Sequence, residues 1–408
     1  MTEPSDRQLP PAAPEQPEGD ASKQRATFAG VTERLGGAAV PLAATALAFL
    51  IGGLVVVLQG GNPLTAYRAI FEGTGFNYAF PWLDDGDRAR AARNLQQTLV
   101  LATPLILTGL AVAFAFRCGL FNIGGTGQYW LGFIAALWIG TNLEGLPRPL
   151  HVLLGLVAGI AAGAVWGGIA GILRATVGAH EVITTIMLNW IAIFGGTYLF
   201  ELGGPLQAGE SLPRSEDVLD SARLWPLWGN IQALHTGIFI AFLGLLVYYV
   251  ILNRTTLGFE VRAVGFNPEA ARYSGIPVGR SYFLALAISG AFAGTAGAVD
   301  VLGVNFSVDT SDLPAKAVGF TGIAVALLGR NKPVGILFAA LLFAALEVGT
   351  SSRQLDPDVF DPALASNLAT MIQALVIFFV GAELLILTIW GARGKLIRFR
   401  PQAQEPAA

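Results

Sequence analysis

The chain reads as an all-α, polytopic membrane protein with about ten transmembrane helices. Of its 408 residues, 53% are hydrophobic and only 13% are charged, against about 25% charged in soluble proteins. Mean hydropathy is +0.58. The apolar residues gather in runs close to the ~20 residues a helix needs to cross a bilayer. Fifty glycines suit helices that pack closely in lipid.

The first 37 residues are polar and proline-bearing (Pro10, Pro11, Pro14, Pro17). Such a composition buries no core, and a disordered cytoplasmic tail is expected. The first apolar run follows this long tail and reads as a span, not a signal peptide. Residues 38–392 form the transmembrane domain, with spans at 38–58, 97–116, 127–141, 150–173, 183–200, 234–252, 281–304, 317–329, 333–350 and 367–390. Residues 393–408 form a cytoplasmic C-terminal tail. The third and eighth spans are short. Each adjoins a Gly-rich polar break, which survives at membrane depth only under cover of protein or a water-filled cavity.

Lys and Arg set the direction. With the N-terminus inside and the spans alternating, 16 of 25 Lys and Arg fall on the inner side, among them Arg117, Arg174, Arg262, Arg272, Arg330 and Lys332. Ten spans place both termini in the cytoplasm. The segments 59–96 and 201–233 fall outside, the latter acidic. Spans two to five and seven to ten then run in opposite directions, as in an inverted repeat.

A polar segment between spans six and seven has a short helix's punctuation, at about 267–276. Asn267 is a cap and Pro268 suits the first helical position. Glu269 stands in the first turn, and Gly275 suits a left-handed end. A capped surface helix is a handle for a partner. Gly155, Gly159, Gly163, Gly167 and Gly171 recur every fourth residue in span four and make a smooth strip for helix packing, within the chain or against another subunit.

The stretch Phe116–Gln128 interrupts the apolar run. It is either a broken helix that presents Asn122 and Gln128 to a transport pathway or a tight turn near the surface. Asn189, inside span five, needs a hydrogen-bond partner at membrane depth. Asp300, Glu347 and Glu383 sit in or near span ends without a pairing pattern. Cys118 is alone, so no intrachain disulfide forms. His151, His180 and His235 lack metal-ligand spacing. None of the four lysines is followed by Ser or Thr, so there is no phosphate-binding loop for ATP. No catalytic constellation is present.

Glu269-Ala270-Ala271 followed by Gly275 resembles the cytoplasmic E-A-A-x-x-x-G motif of bacterial ABC importer permeases. Arg262–Ile276, Phe116–Gln128, Glu181–Asn189 and Gly319–Gly335 together resemble the branched-chain amino acid/ribose-type permeases, in their nucleoside and simple-sugar branch. The resemblance covers roughly residues 40–395. Relatives often carry an acidic residue where this chain has Thr126.

The resemblance implies a type II importer-like permease of the bacterial cytoplasmic membrane. It would work with a cytoplasmic ABC ATPase that binds the ATP, a second and different permease subunit, and an extracytoplasmic substrate-binding lipoprotein. Asn267, Pro268, Glu269, Ala270, Ala271 and Gly275 would couple to the ATPase, and the permease itself would be no enzyme. Phe121, Asn122, Gln128, Asn189, Asn305, Phe306 and Phe320 are the candidates for a translocation path. Their amides and rings suit a nucleoside or, almost as well, a sugar. The nucleoside choice rests on the resemblance. An ion-coupled transporter is the rival reading. Nothing points to nucleic acid.

Overall fold

The computed structural model describes residues 41–80, 82–209, 212–228, 234–315, 318–351 and 362–381. The two tails and Glu383 lie outside these. In chain order the helices are α1 (Pro41–Leu58), α2 (Pro63–Thr74), α3 (Asp85–Arg117), α4 (Gly125–Asn142), α5 (Arg148–Val177), α6 (Glu181–Phe200), α7 (Gly237–Arg254), α8 (Thr256–Phe266), α9 (Pro268–Tyr273), α10 (Val278–Asp300), α11 (Asp312–Ala315), α12 (Val318–Leu328), α13 (Pro333–Gly349) and α14 (Pro362–Gly381). Among the described residues, six helices are long and apolar enough to cross a membrane: α1, α3, α5, α6, α7 and α10 with its extension to Asn305. α4 does not meet that standard. α13 and the Thr370–Val380 part of α14 are shorter apolar helices.

Two stretches expected to lie outside differ in structure from expectation. Much of 59–96 is helical and not loop. Asn62 caps α2 through its side chain, which accepts from the Leu64 amide, with Pro63 at the first position. α3 starts at Asp85 behind the Asp84 cap, twelve residues before the apolar run. Polarity there marks the side chains' surroundings and does not end the helix. The 201–233 segment and the first two residues of the expected sixth span add a small β component to the otherwise helical described residues. Pro226–Trp228 (β1) pairs antiparallel with Leu234–His235 (β2).

α3 and α10 are the buried axis. Most of the apolar window of α3 is buried (78%), against 22% for α6. α6 and α7 instead expose Met187, Trp190, Phe194, Phe239 and Leu246, the outward apolar dress of lipid-facing helices. The closest packing joins α5 to α10. All five glycines of the strip are buried. A Cβ on Gly163 would stand 2.3 Å from the Gly290 carbonyl oxygen, and one on Gly167 2.3 Å from that of Leu286. On Gly159 and Gly171 it would meet Ala298 and Phe283 of α10, and on Gly155 Leu302 just beyond. The strip therefore packs within the chain.

The charged segments sort to two ends. At one, the Arg117 guanidinium and the Tyr248 hydroxyl both donate to the Asn331 carbonyl at 2.8 Å. Arg174 pairs with Glu181 at 3.5 Å and lies over the Tyr282 ring. At the other, Arg148 donates to the carbonyls of Arg223 and Leu224. His151 is held there between Ser221 and the Ile139 carbonyl.

Candidate coupling helix and translocation path

The segment after α7 holds two short helices, where the sequence suggested one. The Thr255 hydroxyl accepts from the Gly258 amide and starts α8. α8 folds back on α7 at Gly258, whose Cβ would meet the Ile251 carbonyl at 2.1 Å. It rests on the end of α3 at Gly265, where a Cβ would stand 2.2 Å from the Arg117 carbonyl. Both glycines are required by close approach.

Asn267 then turns the chain. Its backbone is extended (φ −157°), and its side-chain oxygen accepts from the amides of Glu269 (3.0 Å) and Ala270 (3.1 Å). Two of the four orphan amides of a helix start are thereby satisfied, worth about 1 kcal/mol. Pro268 opens α9, and Ala271 is its buried anchor. Glu269 pairs with Arg272 at 3.2 Å, both largely exposed; an exposed pair contributes about 0–1 kcal/mol. Gly275 is left-handed (φ +83°) with open space around it. Backbone conformation, and not crowding, calls for glycine there.

Phe266 and Tyr273, which flank this turn, are 91% and 92% exposed. They were missed as candidates. Two aromatics bracketing a capped polar turn were the available signal.

The path candidates fall into separate places. Asn122, Gln128 and Asn189 come together around the start of α4. The Asn122 side chain donates to Gln128 (2.8 Å) and to the Ser289 hydroxyl (2.7 Å), and accepts from the Gly124 amide (2.9 Å). Ser289 donates onward to the Ala111 carbonyl. Asn189 accepts from the Gly127 amide (2.7 Å) and donates to the Ile123 carbonyl (2.9 Å). All three amides are buried, so in this conformation they tie the α3–α4 connection to α6 and α10. Phe121 packs edge-on against Phe116.

Phe320 is half-exposed near the start of α12. There Gly319 lies so close to α4 that a Cβ would reach the Thr126 nitrogen at 2.1 Å. Thr126 is itself buried at that contact, its hydroxyl without a partner.

Asn305 and Phe306 form a second cluster, beyond the end of α10. Asn305 donates to Asp300 at 2.7 Å, and Tyr129 donates to the other Asp300 oxygen. Residues 301–305 form a π-turn, after which Phe306 is left-handed (φ 50°) with its ring under Arg223. Ser289, Tyr129 and Arg223 joined these networks unannounced. Each is remote in sequence from its partners and belongs to no local pattern.

Six described helices long and apolar enough to cross a membrane, packed around the buried α3 and α10, define a multi-pass membrane protein. Residues 94–381 match the family described as "Branched-chain amino acid transport system / permease component", and the chain belongs to that family. It is 37% identical over 371 residues to the guanosine ABC transporter permease protein NupP of Bacillus subtilis (strain 168), covering 88% of this chain and 98% of that one. It is 35% identical to the nucleoside ABC transporter permease protein NupB of Lactococcus lactis subsp. cremoris, over 85% and 91% of the two chains. Similarity to the glucose ABC transporter permease protein TsgB13 of Haloferax volcanii is of the same order, 36% over 83% and 86%. A second, more distant guanosine or nucleoside permease protein from each of the first two organisms also matches, at 29% and 26%. No solved structure matches significantly.

Proposed function

We propose that this chain is the transmembrane permease subunit of an ATP-binding cassette importer, and that it translocates nucleosides. The observation that carries the reading is near full-length similarity to two permeases named for guanosine and nucleoside transport. The α8–α9 pair supplies the handle. It offers exposed Glu269, Phe266 and Tyr273 to a cytoplasmic ATPase, which binds the ATP this chain has no loop for. A second, different permease subunit completes the channel, and an extracytoplasmic binding lipoprotein docks on the segments 59–96 and 201–233, which meet where Tyr78 packs against Trp228. Both termini are cytoplasmic. The protein does no chemistry; rigid units rock about a site near the start of α4.

Ten spans in two inverted units remain the preferred topology. Helix pairings support it: α4 packs on α10 as α12 packs on α3, α5 on α10 as α13 on α3, and α4 on α6 as α12 on α14. α4 and α12 meet each other at Gly125 and Gly319, where a pseudo-two-fold axis would pass.

A sugar substrate is the second reading, favoured by the glucose permease relative. Uptake by proteoliposomes carrying the permease pair, ATPase and binding protein separates the two. Labelled guanosine should accumulate with ATP and resist a large excess of glucose. Accumulation of glucose alone would favour the sugar. Uptake driven by an ion gradient without ATP would remove the importer reading altogether.

A further inference from the structure

Buried donors at the start of α4 are left without partners. A helix start leaves its first amides without intrahelical acceptors, here those of Gly124, Gly125, Thr126 and Gly127. Asn122 accepts from the first and Asn189 from the last. Among the described residues, none accepts from the middle two. The Thr126 hydroxyl and the indole N–H of Trp130 also have no partner, although Thr126 is only 4% and Trp130 0% exposed. An unpaired buried donor is costly, and Val and Phe would fill the same space without that cost.

These donors share one place. Thr126 and Trp130 stand four residues apart, on one face of α4. A helical side chain leans toward the helix start, so Trp130 covers the turn that Thr126 begins. The Cβ position of Gly319 lies 2.1 Å from the Thr126 nitrogen and 2.6 Å from its hydroxyl oxygen. Amide and hydroxyl therefore face one spot, which the start of α12 closes in this conformation. The positive end of the α4 dipole adds to the preference for an electron-rich group there.

We propose that, with α12 withdrawn, this spot receives the O6/N7 edge of a 6-oxopurine nucleoside such as guanosine; the inference rests on the nucleoside-import reading above. Two amides, a hydroxyl and an indole N–H all donate, and the Thr126 oxygen is the one acceptor among these four groups. A sugar hydroxyl brings a proton that needs an acceptor of its own. A 6-oxopurine edge offers two adjacent acceptors, whereas adenine carries an amino donor in place of O6. Thr126 and Trp130 thus determine specificity for the base.

Proteoliposomes carrying the permease pair, ATPase and binding protein test this with labelled guanosine and adenosine, each at a concentration that saturates the binding protein. The ribose is common to both, and the binding protein is the same in every arm. A change of rate ratio between variants therefore belongs to the permease. Wild type should import guanosine faster. Thr126→Val and Trp130→Phe should each cut the guanosine-to-adenosine ratio about fivefold, the loss of one ordinary hydrogen bond. Thr126→Ser, which keeps the hydroxyl, should retain the ratio. If Trp130→Phe melts early, the two Thr126 variants are read alone.

Equal slowing of both nucleosides would assign Thr126 and Trp130 to packing and overturn the proposal, as would equal rates in wild type. A wild type that imports neither nucleoside would remove the reading on which it rests. Nucleoside import with an unmoved ratio would remove this inference alone.

Discussion

Asn267 and Gly275 bound the same short helix but constrain it differently. Asn267 works through hydrogen bonds to two amides; Gly275 works through a backbone conformation with nothing nearby. Asn267→Ala should therefore weaken α9 by about 1 kcal/mol. It should reduce ATPase association more than it lowers the melting temperature of the whole chain, and equal loss of both would count against a local role. At Gly275, Asn should be tolerated and Val should not, because αL is accessible to Asn and strained for a β-branched residue. Transport assays on the two variants compare them directly; equal activity would show that bulk and φ do not matter there.

His235 supplies a pH-dependent counterpart in β2, two residues before α7; the sixth span, expected over 234–252, begins as helix only at Gly237. It packs against Gly237 and Gly303, and burial lowers its pKa from 6.5 to about 4, with Asp300 opposing. Between those values the unfolded chain binds a proton that the folded chain does not, so stability falls as pH falls from about 6.5 to about 4. His235→Gln should flatten that part of a melting-temperature profile. An unchanged slope would assign the dependence to other groups.

Packing between helices depends on what a side chain would displace. On α5 and α10 the approach is set by backbone atoms, and a backbone carbonyl cannot rotate away as a side chain does. Gly163→Leu and Gly290→Leu should each destabilise by about 3 kcal/mol, the upper end of what overpacking costs. Thermal melting in detergent should show the loss. Gly195 on α6, with nothing within 4 Å of its Cβ position, is the control that should accept Ala.

The α8–α9 pair makes the opposite use of its surface. Phe266 and Tyr273 cover little of the chain's own core, yet nearly all of each ring is exposed. If they are anchors for the ATPase, Phe266→Ala and Tyr273→Ala should each weaken its association by roughly 2 kcal/mol, the threshold for an interface hot spot. Insertion and melting should stay unchanged. Undiminished ATPase pull-down from both variants would leave Glu269 as the main contact.

The bundle as a unit makes sense of the buried amides. Asn122, Gln128 and Asn189 are closed off in this conformation, each satisfied by protein. An inward- or outward-facing state would have to exchange those bonds for substrate or water. Asn122→Leu, which cannot make them, should shift the balance between states and impair guanosine uptake, while leaving ATPase docking at the α8–α9 turn intact. Retained uptake would confine Asn122 to the scaffold.

Membrane class, the capped turn at 267–275 and the glycine strip were legible in the sequence, because each is written in neighbouring residues. Hydrophobic run length reports burial in lipid, an Asn-Pro-Glu step reports a helix start, and a four-residue glycine period reports a smooth face. Family membership followed from several such motifs together. Three things needed the folded chain. One was the partner of the glycine strip, since a smooth face does not say whose backbone it meets. Another was that much of 59–96 is helical, as α2 and the first turns of α3, since polarity reports surroundings more than backbone form. The last was that Asn122, Gln128 and Asn189 gather at α4 while Asn305 and Phe306 join Asp300 and Arg223 in a second cluster. Asn189 reaches the α3–α4 connection across 62–66 residues, Asn122 reaches Ser289 across 167 and Tyr129 reaches Asp300 across 171, so only helix packing decides them.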